Sequence, residues 1–312
     1  NPSDAIMIGD SLEDYEAATK NSVPFLLIKN KFNKSLQMNL DCNMISNFVN
    51  KWEILQMEKS NFNILAVIPA RMASSRFPGK PMAKILDKPM IGHVYERVIN
   101  CKILNKTIVA TCDSEIAEYI ESIGGEAVMT SSLHERASDR CAEALEFIEK
   151  KDNITYDIVV LVQGDEPMTH PDMIEEAVLP MLDDHKIPIS NLLGKISSIE
   201  EFNDKNCIKV VCDIKSNAIY FSREPIPSRS KIENIEMHKQ VCIIPFRRDF
   251  LILYNSLEPT PLEIAESVHM MRVIEHGFTI RMTPTEYQTY AVDTPKDLIK
   301  VEALMKLSLA NI

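Results

Sequence analysis

A chain of 312 residues with 45% hydrophobic and 25% charged side chains can bury one large core plus a fragment, or two modest ones. No apolar run approaches the roughly 18 residues of a membrane span, no signal peptide opens the chain, and a formal net charge of -11 excludes the basic face that general nucleic-acid binding needs. The seven cysteines form no C-x-x-C pair and several stand in apolar runs, as Cys212 and Cys242 do, so they read as buried thiols of a reducing cytoplasm, neither disulfides nor a zinc site.

The chain opens on Asn1 rather than Met, which reads as a processed, trimmed or fragmentary start. Residues 5–10 predict a short strand ending in Gly9-Asp10, Ser11-Leu-Glu-Asp14 opens a helix through Lys20, and 23–28 predicts a second strand. This strand–GDSxxD–helix–strand unit resembles the last acidic motif of haloacid dehalogenase (HAD)-type phosphatases. The resemblance implies a HAD-like C-terminal fragment over 1–30, with Asp10 and Asp14 as carboxylates that help hold Mg²⁺. Those enzymes also need an aspartate nucleophile in an earlier D-x-D motif and an intervening lysine, so the segment is incomplete as a catalyst. A plain helix N-cap is the equal alternative for its aspartates. Residues 31–61 are rich in Asn and Lys and predict a linker with at most one short helix around 44–57.

The second domain runs from 62 to 312. Ile64 to Ile68 is short, apolar and β-branched, and reads as a buried strand stopped by Pro69. It delivers Arg71, Ser74, Arg76, Gly79 and Lys80 onto one loop at its carboxyl end, where open α/β sheets bind ligands. Gly79 lets backbone approach closely, and three cations suit a polyanion, so the loop predicts triphosphate binding. Its spacing is neither that of a P-loop nor that of a dinucleotide fingerprint.

Helix 90–101, strand 107–111, helix 114–123, strand 126–129, helix 139–150, strand 157–162 and helix 171–182 follow in alternation. This predicts an α/β fold with a mostly parallel sheet covered on both faces. Strands near 188–193, 207–213, 218–221 and 239–246 are less regularly interleaved and predict a mixed sheet or protruding β-arm. A helix is expected over 262–276. Val160-Leu-Val-Gln163-Gly-Asp165-Glu166-Pro167 ends a strand in a carboxylate, the kind of hard oxygen that holds Mg²⁺ for nucleotidyl transfer. In Tyr290-Ala-Val-Asp293-Thr294-Pro295-Lys-Asp297, Thr294-Pro295 looks like a helix start with Asp297 in its first turn.

The loop, the Q-G-D-E-P run and the V-D-T-P-x-D-L run together resemble the 3-deoxy-manno-octulosonate (Kdo) cytidylyltransferases, over residues 62 to about 305. The resemblance implies a nucleotide-diphospho-sugar transferase-like, Rossmann-like domain. It also implies a homodimer in the cytoplasm and a Mg²⁺-dependent reaction of CTP with an acidic sugar. Asp165 and Asp293 are then the metal ligands, and Arg71 and Lys80 join them as catalytic groups. Arg71, Ser74, Arg76, Gly79, Lys80, Thr111, Asp113, Ser138, Arg140 and Gln163 contact the nucleotide. Gln163, Tyr220, Gln240, Glu266 and His269 face the acceptor.

Three stretches match the family less fully. His134-Glu-Arg136-Ala-Ser138-Asp139-Arg140 has lost the Ser-Gly-Thr core of the family's loop. Gln240 stands where the family has His, and His269-Met270 where it has Glu-Gln. Met cannot replace a hydrogen-bonding amide, and His269 is expected to be cationic near neutral pH. These departures predict altered acceptor contacts, with another ulosonate or a phosphonate as the alternative acceptor. His269 and Met270 on the core face of their helix is the competing reading. A fusion with a phosphatase and a silent binding scaffold are the readings from other classes.

Overall fold

The structure, a computed structural model, describes residues 62–74, 76–232 and 235–310, and before them 7–9, 16, 20, 25–28 and 43–45. The chain forms two compact units, 1–61 and 62–312. In the first, β1 (Met7–Gly9), β2 (Phe25–Ile28) and β3 (Asn43–Ile45) pair in that order, all parallel. The two expected strands are therefore present in shorter form. The helix expected from 44 is corrected at its start, because Met44 and Ile45 complete a ladder with Leu27 and Ile28. Asp10, Ser11 and Asp14 lie outside the described residues, as does most of the helix expected over 11–20.

The second unit is built on β4 (Ile64–Ala70), β7 (Lys106–Thr111), β8 (Ala127–Met129), β9 (Ile158–Val162) and β14 (Ile243–Arg247), with the short hairpin β5 (Lys84–Ile85) and β6 (Lys88–Pro89) between β4 and β7. The strand order is β14-β9-β4-β7-β8, parallel except for β14. Residues 64–68 have no exposed surface, as expected of a strand covered on both faces. Leu65 and Val67 share a core with Cys141, Ala144, Leu145 and Ile148 of α3 (Ala137–Asp152), which follows α1 (Met90–Val98) and α2 (Ser114–Ser122). The strand is not stopped by Pro69. Pairing with β9 ends at Val67 while pairing with β7 continues to Ala70, so on one side a missing N–H forfeits no ladder bond.

A second five-stranded sheet has the order β12-β11-β13-β10-β15. Its members are β10 (Ser190–Lys195), β11 (Lys209–Cys212), β12 (Ala218–Ser222), β13 (His238–Val241) and β15 (Arg281–Thr285). It is mixed, as the irregular strand spacing suggested, with only the β10–β15 pair parallel. The single strand expected over 239–246 is corrected: it divides at Cys242, β13 joining this sheet and β14 the first one. The apolar run from Val241 to Phe246 hid the break, because it crosses Cys242 without any Gly or polar residue.

Helices α4 (Pro171–Asp183), α5 (Ile199–Asn203), α6 (Arg248–Ser256), α7 (Pro261–Glu266), α8 (Met270–Glu275) and α9 (Pro295–Ala310) complete the unit. The helix expected over 262–276 is two helices, α7 and α8, broken where Ser267 turns left-handed at φ 52°. Among the described residues no helix is long and apolar enough to cross a membrane.

Candidate active site

In chain order the parallel strands run β4, β7, β8, then return to β9 on the other side of β4, so the winding reverses between β4 and β9. Such a reversal leaves a crevice at the carboxyl ends of the two strands. Loop 71–80 leaves β4 there, and Gln163-Gly164-Asp165-Glu166 leaves β9. Gly164 allows the approach: a Cβ on it would lie 3.3 Å from the Pro69 carbonyl oxygen and 3.0 Å from Ile91 Cδ1. The cavity at this point has a volume of about 680 Å³, within the roughly 300–1,000 Å³ of small-molecule sites. Arg76, Lys80, Gln163, Asp165, Glu166 and Asp293 line one part of it, and Asn206, Lys239, Gln240 and His269 another.

Gly79, left-handed at φ 72°, turns the loop back so that its N–H donates to the Met72 carbonyl at 3.0 Å. Lys80 then points its ammonium between two carboxylates, 2.7 Å from Asp165 Oδ2 and 3.4 Å from Asp293 Oδ1. Arg76 donates to Asp293 Oδ1 at 2.9 Å and to Asn206 Oδ1 at 2.8 Å, joining the loop to the turn before β11. Ser74 accepts the Phe77 N–H at 3.4 Å. Arg71 is exposed and is not among the residues that line the cavity.

Asp293 is brought to Asp165 by the backbone, the Val292 N–H donating to the Asp165 carbonyl at 2.9 Å. Asp297 accepts from the Thr294 N–H and hydroxyl, both at 2.8 Å, and from the Asp293 N–H at 3.2 Å. It holds the start of α9, which leaves the Asp293 carboxylate facing the cavity. Asp165 Oδ1 is closed off from solvent and has no hydrogen-bond partner. An orphaned carboxylate oxygen beside a second carboxylate is a donor set that fits Mg²⁺, which takes hard oxygens and keeps several waters. Among the described residues no group of three or more His, Cys, Asp or Glu side chains is arranged to hold a metal.

Glu166 lies behind this pair, 6% exposed, with Oε2 likewise without a partner. Burial first, and then the neighbouring Asp165 carboxylate, push its pKa up to about 7. Sequence reasoning passed over it, although it stands in Q-G-D-E-P directly after a fully apolar strand. Asn206 and Lys209 stand in a run that fits the family's N-x-V-K-V-V, but neither was expected as a site residue. Lys209 has no exposed surface, and its ammonium donates to the carbonyls of Asp204, Cys207 and Arg223 at 2.8, 2.7 and 2.5 Å. It thereby ties down the turn that presents Asn206 to Arg76.

The remaining sequence-derived residues divide. Gln163 lines the cavity, and so does Ser138, whose buried Oγ has no partner. Thr111 and Asp113 act on the loop: Thr111 Oγ1 accepts the Asp113 N–H at 3.1 Å, and Asp113 Oδ2 accepts the Met72 N–H at 2.8 Å. Arg140 is buried against the Thr130 hydroxyl and Cys112 Sγ, away from the cavity lining.

Tyr220 and Glu266 are also absent from the lining. Glu266 accepts from Tyr220 Oη at 3.1 Å, Ser222 Oγ at 2.9 Å and the Arg223 N–H at 2.8 Å. That set takes up three of the roughly four acceptor positions of a carboxylate. Gln240 lines the cavity while its Nε2 donates to Asn191 Oδ1 at 2.7 Å. His269 opens onto the cavity, but the expectation of a cation is corrected. Crowding by protein, followed by Arg136 and Arg272, lowers its pKa despite Glu263 and Asp139, so the neutral ring is favoured. Met270, 5% exposed, belongs to the core as well as the cavity wall.

Comparison with known proteins follows this geometry. Residues 65–282 match the family model described as Cytidylyltransferase. The chain is 43% identical over 249 residues to the 3-deoxy-manno-octulosonate cytidylyltransferase of Geobacter metallireducens, covering 76% of this chain and 96% of that one. Among solved structures it is similar to a CMP:2-keto-3-deoxy-manno-octonic acid synthetase complexed with CTP. The TM-score is 0.73 at 38% identity, over 79% of this chain and 99% of that one. A 4-diphosphocytidyl-2C-methyl-D-erythritol synthase from Anaerococcus prevotii, 13% identical, shares the fold at a TM-score of 0.55, over 80% of this chain and 99% of its own.

Proposed function

The chain belongs to the cytidylyltransferase family, and we propose that it transfers CMP from CTP to a hydroxyl of 3-deoxy-manno-octulosonate, releasing pyrophosphate. The observation that carries this reading is the Lys80 ammonium held between Asp165 and Asp293, with Arg76 against the second carboxylate, at the reversal of the sheet. Lys80 and Arg76 take the β- and γ-phosphates, and Arg71 extends the positive charge at the start of the loop. Gln163 lies beside the acceptor. Asp165 and Asp293 would hold Mg²⁺, a reading supported by the unpartnered Asp165 Oδ1. When bound, the ion stabilises charge developing on the transferring phosphates. The protein's own contribution is to fix the triphosphate by its anionic end and to aim the acceptor hydroxyl at the α-phosphorus.

Pyrophosphate release with each of CTP, UTP, ATP and GTP, with and without the sugar acid and Mg²⁺, tests the proposal. CTP should be preferred, and release should require both acceptor and metal. Equal rates with all four nucleotides, or release without an acceptor, would overturn it. A different acidic acceptor, another ulosonate or a phosphonate, is the second reading, favoured by Gln240 and His269 on the cavity wall where the family pattern has His and Glu. A panel of acids in the same assay decides between them.

A further inference from the structure

The chemistry above uses Asp165 and Asp293 but leaves idle the acid beside them. Glu166 lines the cavity and is 6% exposed, and its Oε2 has no hydrogen-bond partner. Leaving such an atom unpaired is unfavourable, so a native fold that retains it supplies a partner, a ligand group or a buried water. Its surroundings indicate which ligand. The carboxyl takes a backbone hydrogen bond from Cys242 and feels the Lys239 cation, and both residues lie where β13 crosses into β14. Lys239 is itself held by Glu201 at 2.5 Å and by the Thr289 carbonyl at 3.4 Å. The phosphate-facing cations Arg76 and Lys80 instead pair with Asp293 and Asp165. A phosphate brings more negative charge to an oxygen already crowded by two carboxylates, whereas a sugar acid brings hydroxyl donors.

We propose that Glu166 is a positioning residue for the acceptor, its free carboxyl oxygen hydrogen-bonding a hydroxyl of the sugar acid at the junction of the two sheets. The assignment rests on the cytidylyltransferase reading and deepens it: the acceptor is selected as a polyol, and its reactive face is turned toward Asp165 and the nucleotide. A site with a buried partner waiting for a hydroxyl discriminates strongly against analogues that lack it.

The test is steady-state kinetics of Glu166→Gln and Glu166→Ala with CTP, Mg²⁺ and 3-deoxy-manno-octulosonate. It is paired with calorimetric titration of the acceptor onto protein saturated with a non-reactive CTP analogue, which reports binding even where turnover is lost. The alanine variant should bind the acceptor about 10- to 100-fold more weakly, with the glutamine variant between it and the wild type. The KM for CTP and the CTP-induced rise in Tm should stay within about twofold of the wild type on the same reasoning. A parallel loss of CTP affinity would assign Glu166 to the nucleotide and overturn the proposal, as would unchanged acceptor affinity in both variants. Absence of pyrophosphate release by the wild type with this pair would instead remove the family-based substrate reading, and the proposal with it. Turnover by the wild type with insensitive variants removes the Glu166 assignment alone.

Discussion

Replacing Lys80 with Met keeps the aliphatic stem and removes the ammonium that touches both Asp165 and Asp293. The three side chains are 14%, 19% and 21% exposed, with separations of 2.7 and 3.4 Å, a setting between surface and interior. Exposed pairs are worth about 0–1 kcal/mol, and breaking a buried pair costs about 3–5 kcal/mol because the surviving charge is stranded. Here Asp165 is stranded beside an Asp293 that keeps only Arg76, and both remain partly hydrated, so the loss is about 2–3 kcal/mol. In a unit of this size each kcal/mol moves Tm by ~2–4 °C, which places the drop at roughly 4–12 °C. The assay is thermal unfolding of the free protein, repeated over a Mg²⁺ titration. Because the proposed Mg²⁺ site uses the same oxygens as the ammonium, Mg²⁺ should raise the Tm of Lys80→Met more than that of the wild type. With CTP and acceptor the variant should lose about 10²–10³ in kcat, as when one charge-stabilising donor is removed. An unchanged Tm together with an unchanged response to Mg²⁺ would refute the reasoning.

Asp165→Asn and Asp293→Asn should each abolish most pyrophosphate release while leaving the fold intact; near-normal turnover in either at saturating Mg²⁺ would exclude that residue as a metal ligand. Gly164→Ala should destabilise by about 1–3 kcal/mol, because the new methyl presses on the Pro69 carbonyl and Ile91, and should lower activity by displacing Asp165; a silent variant would show that the backbone can yield there. Burial raises the pKa of Glu266, but the Arg223 N–H and the Ser222 and Tyr220 hydroxyls outweigh it and hold the carboxyl below its ordinary range. Its stabilising contribution is therefore present above the ordinary Glu value near 4.3 and lost as pH falls below it. The Tm gap between wild type and Glu266→Gln should narrow as pH falls from about 6 through the ordinary Glu value near 4.3, and a pH-independent gap would show that the bonds do not depend on ionisation.

The alternating part of the second unit was legible because each element carries its own period and its own punctuation. The apolar run 64–68 and the helix opening at Pro171 are examples. Asp165 was legible because a strand end and a short motif coincide, and Asp293 from its motif alone, since it stands in irregular chain between β15 and α9. What could not be read is what tertiary contact decides. The apolar run through Val241 to Phe246 looks like one strand until two different partners claim its halves. The stretch 262–276 keeps a helical apolar spacing across Ser267, and the break comes from that residue's left-handed backbone rather than from any Gly or Pro. Glu266 is polar, and family resemblance pointed it at a sugar, yet three donors from residues 220–223 enclose it. Glu166 was invisible for the opposite reason, since nothing in a sequence distinguishes a solvated Glu after a strand from one whose oxygen is sealed and unpaired.

The passage of the chain through Cys242 bears on how the cavity can open. The two sheets that wall it are joined by a single residue there, and the bridge between Ile189 and Phe246 stitches them again nearby. Ties this close make the two walls one continuous backbone, so a displacement of either sheet is passed directly to the other. The loop that completes the cavity is tied to both walls as well, by Lys80 on Asp165, by Arg76 on Asp293 and by the exposed Arg76 guanidinium on Asn206.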